Sequence, residues 1–270
     1  MGWYYDAVRF YQMVKEGKDF LENYGEPKDI KYIRLLYQLG KNYRQMDSLE
    51  QAVDYLIQCK ELNYKLFSKK NPVNYKSYDL DIKNELASCY EEMEDSTNNN
   101  QWFNEALVLR KEIVAELSKI DTNDALRIAL GTNHKLVGLL YLKMDYEYRA
   151  SSHYDTALTI LLPFYKNENK KYVEKDIAIC YLHKAIIEYN YDEDEETTRD
   201  EETIKKLLKE CLDVCENAVK PNNLMVIRYN AVSLMLEVLE NLESSLFSRN
   251  EAEIKKYHKL KADLEKQLSK

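Results

Sequence analysis

Apolar side chains recur every three to four residues along almost the whole chain, with polar residues between them. This spacing places the apolar residues on one face of a helix. Residues that interrupt helices, such as Gly25, Pro27 and Pro221, fall between the periodic segments. The pattern predicts eleven helices, at residues 3–23, 29–45, 48–68, 76–93, 102–119, 122–144, 147–166, 171–191, 201–219, 222–244 and 249–268.

Composition favours the same all-α class. The chain has 270 residues but only six glycines and four prolines, whereas a sheet protein needs many turn residues at short spacing. It also has 23 tyrosines, whose rings pack between helices while their hydroxyl groups stay wet.

Comparison of the chain with itself shows a long repeat. Tyr43, Tyr90, Tyr141 and Tyr189 recur at intervals of 47, 51 and 48 residues. Each follows an apolar or small residue by four positions and therefore shares a helix face with it. A fifth, weaker copy begins at Tyr229. The interval is long enough for one pair of helices in each repeat.

Small residues mark where the two helices of a pair approach each other. The first helix of two repeats carries a glycine, Gly40 or Gly138, and the following helix carries an alanine, Ala52 or Ala150. Bulkier residues beside them fill the remaining space between the helices. These positions predict antiparallel helix pairs in close contact.

The residues at these positions resemble the tetratricopeptide repeat (TPR) family. The family pattern Leu-Gly-x-x-Tyr, followed by Ala-x-x-x-aromatic-x-x-Ala, fits residues 36–59 and 134–157, and Pro163 lies near the family's repeat-end proline. The repeats are longer than usual and are similar to the long-helix repeats of kinesin light chain and of bacterial peptide-sensing regulators. The resemblance covers about residues 27–220.

This resemblance implies an all-α, TPR-like α-solenoid of about five antiparallel helix pairs plus an extra N-terminal helix. It divides the chain into an N-terminal helix at 1–26 that packs on the array, TPR-like repeats at 27–220, and a degenerate repeat with a C-terminal capping helix at 221–270. The apolar stripe of that last helix is formed by Ile254, Tyr257, Leu260, Leu264 and Leu268.

Charge and cysteine content limit the classes of partner. The net charge of −8 disfavours binding to phosphate backbones, so no nucleic-acid partner is expected. The longest apolar run, Leu136 to Leu142, is too short to cross a bilayer, so no membrane partner is expected either. Five irregularly spaced cysteines fit reduced, mostly buried thiols, and we expect a cytoplasmic protein.

The reactive residue types form no catalytic or nucleotide-binding motif, and we expect no enzyme activity, cofactor or metal. Cys180 and His183 lie one turn apart, but the second histidine of a metalloprotease motif is missing. Cys211 and Cys215 share a helix face, without a second cysteine pair to complete a metal site. Helix packing explains both pairs. The acidic run at 192–202 fits a solvated loop, with a basic partner or a loosely bound cation as the alternative.

The resemblance also implies a binding surface, because in this family the first helix of each repeat lines a concave groove. Basic and amide side chains at such positions suit a peptide carboxylate and backbone. The matching residues are Tyr37, Lys41 and Arg44, then Asn84, Ser88 and Glu91, then Lys135, Leu139 and Lys143, and finally His183, Ile187 and Asn190.

The resulting prediction is a scaffold or adaptor that binds a protein or short peptide in this groove. Two alternatives remain open. One is a regulatory module that senses a small peptide, and the other is the non-catalytic repeat portion of a larger effector.

Overall fold

Helices form along nearly all of the chain that the computed structural model describes, namely residues 13, 15–19, 30–68, 72–97, 101–120, 123–190, 200–242 and 251–269. No strand occurs within these ranges. The α-helices with defined bounds are α1 (Ile30–Gln45), α2 (Leu49–Phe67), α3 (Pro72–Thr97), α4 (Gln101–Leu117), α5 (Asp124–Lys143), α6 (Glu147–Tyr165), α7 (Lys170–Asn190), α8 (Glu201–Glu216), α9 (Met225–Leu242) and α10 (Glu251–Leu268).

The predicted helices agree closely with these bounds, with two exceptions. Helix α3 begins at Pro72 instead of residue 76 and ends at Thr97 instead of residue 93. Proline is favourable in the first turn of a helix, where its missing N–H would have no partner. Residues Pro221–Leu224 form a 3₁₀ helix, which takes the place of the first turn predicted for α9. The predicted helix at 3–23 lies mostly outside the described residues, although 15–19 are helical.

The chain forms two compact units, Met1–Glu116 and Leu117–Lys270. In the first unit, α1 and α2 are antiparallel: the Sγ of Cys59 donates to the carbonyl of Ile33 at 3.3 Å, while Gly40 lies against Ala52. Their shared core is apolar and fully enclosed; Leu36 and Leu56 are 2% and 0% exposed. Truncating such a leucine to alanine typically costs about 2–5 kcal/mol.

Helices α5 and α6 of the second unit pair in the same way. Gly131 lies against Leu161, and Gly138 lies against Tyr154. The later residue of α5 therefore contacts the earlier residue of α6, which means that the two helices are antiparallel. A Cβ atom at Gly138 would lie 2.8 Å from the Tyr154 ring and 3.2 Å from the Ala150 carbonyl. The close approach predicted from Gly138 and Ala150 is confirmed.

The second unit continues through α7 to α10. The buried carboxylate of Glu174 accepts the backbone N–H of Val219 at 2.8 Å and so fixes the link that follows α8. On α10, Tyr257 and Leu264 are buried, whereas Leu268 is 43% exposed. The predicted apolar stripe is therefore largely covered, and α10 packs on α9.

Candidate binding surface

The predicted site residues of α1 meet carboxylates from α3. Arg44 donates from Nη1 to Glu85 at 2.7 Å and from Nε to Glu92 at 3.0 Å. The Lys41 ammonium lies 3.8 Å from the other Glu85 oxygen and 5.5 Å from the centre of the Tyr37 ring. These contacts tie together the first helices of two successive repeats, since α1 and α3 begin those repeats.

The charge states of this cluster follow from its burial. Burial alone would lower the pKa of Arg44, but its bonds to Glu92 and Glu85 raise it, and the guanidinium stays charged. Burial, with the nearby Glu85 and Asp81 carboxylates, raises the pKa of Tyr37. The phenol therefore remains a neutral hydrogen-bond donor beside Lys41.

Asn84 and Ser88 contact an arginine that sequence reasoning missed. Arg110 of α4 is 1% exposed and donates to the side-chain oxygens of Asn84 and, at 3.0 Å, Ser88. Its Nε also donates to Glu91 at 2.8 Å. Arginine is rarely buried unless it is paired, so residue type alone favoured an exposed position for it. Asn84, Ser88 and Glu91 thus lie on one face of α3, and that face binds the second helix of the same repeat.

Lys135 of α5 also has a partner on the next first helix. Its ammonium lies 2.7 Å from Asp176 of α7, and the Thr132 hydroxyl donates to the other Asp176 oxygen at 2.6 Å. Lys135 is 9% exposed. This pair repeats the arrangement of Arg44 and Glu85. In both, a cation on the first helix of one repeat binds a carboxylate on the first helix of the next repeat, 41 residues further along the chain.

The remaining predicted residues lie at different depths of α5 and α7. His183 shares a 2.8 Å hydrogen bond with Tyr154, a fully buried residue of α6. Burial and the positive Lys135 lower the pKa of His183 to about 4, so its imidazole is neutral at pH 7. Leu139 is half-buried and Ile187 is buried, whereas Lys143 and Asn190 are exposed.

A second histidine contact was also missed. His134 and His153 face each other across α5 and α6, with their Nδ1 atoms 3.1 Å apart. Burial and the neighbouring His153 lower the pKa of His134 to about 4. The Tyr141 ring stacks on His153 with centroids 5.6 Å apart. The only signal for this contact in the sequence is that His134 and His153 occupy facing positions when α5 and α6 are paired as antiparallel helices.

The five cysteines, predicted to be reduced and mostly buried, are all free and buried. Burial raises the pKa values of Cys59 and Cys89 to about 12, which keeps both thiols protonated. Of the acidic run, residues 192–196 lie outside the described residues. Asp200 caps α8 by accepting the Thr203 N–H at 3.1 Å, and its bonds to Thr203 lower its pKa.

No three His, Cys, Asp or Glu side chains in the described part of the chain are grouped as metal ligands. None of its helices combines the length and apolar character needed to cross a membrane.

Comparison with known proteins gives the fold class. No protein-family model and no curated protein sequence matches the chain. The crystal structure of BtubC (BKLC) from P. vanneervenii is similar at a TM-score of 0.63 and 10% identity, covering 100% of this chain and 93% of that one. A Podosopora anserina structure of nearly identical TPR-like repeats matches at a TM-score of 0.56 and 13% identity, covering 90% of this chain and 99% of that one. The resemblance to TPR-like repeats is thus confirmed as one of fold, and the chain has an all-α, TPR-like repeat architecture.

Proposed function

We propose that the chain is a non-catalytic, cytoplasmic binding module that holds a protein or short peptide along the first helices of its repeats. The TPR-like architecture supports this proposal, because stacked repeats expose extended surfaces that such proteins use for binding. The free, buried cysteines support a reducing compartment.

The observation that carries the proposal is the partly exposed cation pair on α1. The side chains of Lys41 and Arg44 are 37% and 27% exposed, and Glu85 holds both in place. Arginine has five N–H donors in a planar fork, and Glu85 and Glu92 engage only Nη1 and Nε. The remaining donors suit a carboxylate of the ligand, at low entropic cost because the fork is already oriented.

The test uses fluorescein-labelled acidic peptides with a free or an amidated C-terminus, measured by fluorescence anisotropy. Lys41→Gln with Arg44→Gln should weaken binding about tenfold, corresponding to about 1.4 kcal/mol. Glu85→Gln should strengthen it, because the glutamine oxygen can still accept from Arg44 and orient it, while the competing negative charge is gone. Added salt should weaken binding moderately, since the pair is partly exposed.

Lys255→Gln on α10 is the matched control, because this lysine is exposed and pairs only with a neighbouring residue of its own helix. Lys135 is left unchanged in this test, because Lys135→Glu would place a second carboxylate against Asp176. A loss of peptide binding could then result from a loss of folded protein. Equal affinity of the wild type and the α1 double variant would refute a ligand site at these cations.

A further inference from the structure

A cleft lies within the first unit between α2 and α4, with α3 at its base, on different helices from the surface proposed above. Its volume is about 470 Å³, within the range of about 300–1,000 Å³ typical of ligand sites. Leu86 and Leu109 are buried at its floor, at 2% and 7% exposure.

The rim of this α2–α4 cleft exposes large apolar side chains. Ile57 is 38% exposed, Val108 is 54% exposed and Tyr64 is 62% exposed. Scattered apolar residues are normal on a surface, but apolar residues grouped around a cleft mark interaction sites. Here they continue the apolar floor outward to solvent.

The side chains that line the cleft carry a net negative charge. Four carboxylates and one ammonium, that of Lys60, line it. Asp79 and Glu112 share the buried Lys83 ammonium at 2.8 and 3.0 Å, and Glu116 binds the same ammonium. Within the described chain, the exposed Glu61 and Glu105 form no ion pair. A basic occupant therefore complements the cleft.

The length of the cleft limits the shape of that occupant. The residues that line it extend from Ile57 to Tyr64 on α2 and from Glu105 to Glu112 on α4. Seven residues of helix span about 10 Å. A ligand helix of about two turns fits this length and presents apolar anchors at positions i, i+4 and i+7.

We propose that the α2–α4 cleft binds a short amphipathic helix of a partner protein, with an apolar stripe between lysines or arginines. The stripe covers Ile57, Tyr64 and Val108, and the flanking cations lie beside Glu61 and Glu105. This gives the first unit a second interaction surface, formed by the second helices of its repeats.

The probes are two fluorescein-labelled, hydrocarbon-stapled helical peptides of twelve residues. Both carry leucines spaced as i, i+4 and i+7, and the other positions are alanine with lysine in one peptide and alanine with glutamate in the other. Fluorescence anisotropy should show binding of the lysine peptide and at least about tenfold weaker binding of the glutamate peptide. Failure of the lysine peptide to bind, or equal binding of the two, would overturn the proposal.

Exposed variants locate the bound probe. Ile57→Ser with Val108→Ser removes rim anchors, and Glu61→Gln with Glu105→Gln removes the unpaired charges; each pair should weaken lysine-peptide binding about tenfold. Val226→Ser on α9, also an exposed valine, is the matched control and should leave it unchanged. Binding that resists both double variants places the peptide elsewhere and refutes the proposal.

Two further measurements separate other occupants and the other surface. If the protein is a dimer that the Ile57→Ser, Val108→Ser pair converts to a monomer, the occupant is a second copy and the partner-helix proposal is wrong. Lys41→Gln with Arg44→Gln should leave lysine-peptide binding intact. Loss of binding in that variant would mean that the peptide uses the α1 surface instead.

Discussion

The hairpins α1–α2 and α5–α6 are built on one backbone plan, offset by 98 residues. Gly40 and Gly138 occupy matching positions, and a Cβ atom added at either would lie 3.3 or 3.2 Å from an alanine carbonyl oxygen. The turns match as well: Asp47 and Asp145 have φ of 58° and 60°. In both turns, the next backbone N–H closes on a tyrosine carbonyl five residues back at 2.9 Å. This is the Schellman ending of a helix, with aspartate where glycine is usual.

The side chains on this shared plan differ between the units. Where the second unit brings His134 and His153 together, the matching positions of the first unit hold Leu36 and Tyr55. In the first unit, the buried Arg110 of α4 instead donates to Glu91 of α3. Small residues and turns therefore define how the helices pair, whereas the polar contacts between them vary from one repeat to the next.

Removing the Arg110 contacts should have the largest effect. Arg110→Leu leaves Glu91, Asn84 and Ser88 without their donor, and breaking a buried charged pair in this way typically costs about 3–5 kcal/mol. Urea unfolding measures the loss. Lys255→Leu, at an exposed pair, should change stability by less than about 1 kcal/mol.

A second variant tests the cause of that loss. Adding Glu91→Leu to Arg110→Leu should recover part of the stability, because the carboxylate is then no longer left without its cation. No recovery would mean that the arginine acts mainly through packing.

Substitutions at the two matching glycines test whether the close helix contact contributes equally to stability in both units. Gly138→Leu and Gly40→Leu should each destabilise by about 1–3 kcal/mol through overpacking, with the larger loss at Gly138. The ring that faces Gly138 is Tyr154, which is fully buried and bonded to His183, whereas Leu56 faces Gly40. Ser152→Leu, on the exposed face of α6, controls for the added leucine. An unchanged melting temperature at Gly138 would contradict the close helix contact.

These contacts also show what the sequence could predict. Helix positions and the approach at Gly138 follow from residues close together along one hairpin, so local spacing was enough. The partners of Lys41, Lys135 and Arg44 lie 41 or more residues away on another helix. Several exposed-looking carboxylates compete for each cation in the sequence, so pairing could not be assigned. The proposed ligand-binding role of these residues stays a prediction.

The partly buried histidines of the second unit should make the free energy of unfolding decrease as the pH becomes acidic. Unfolded histidines bind protons below about pH 6.5, whereas burial and neighbouring groups lower the folded pKa values of His134 and His183 to about 4. Their contribution to stability is therefore complete above pH 6.5 and decreases as pH falls toward 4. For one histidine the decrease by pH 5.5 is at most about 1.4 kcal/mol, and less for His134 because it is partly exposed.

Replacing His134 and His153 with the residues at the matching positions of the first unit tests how much this histidine pair contributes to the acid sensitivity. In a His134→Leu, His153→Tyr variant, the drop in melting temperature between pH 7.5 and 5.5 should be smaller than in the wild type. Some acid sensitivity should remain, because His183 still loses its neutral contact with Tyr154 on protonation. The reverse exchange, Leu36→His with Tyr55→His, should make the first unit more acid-sensitive, since Leu36 is buried. If the first variant keeps the full acid sensitivity of the wild type, the partly buried His134 imidazole does not contribute to the acid response, which must then arise from other groups such as His183.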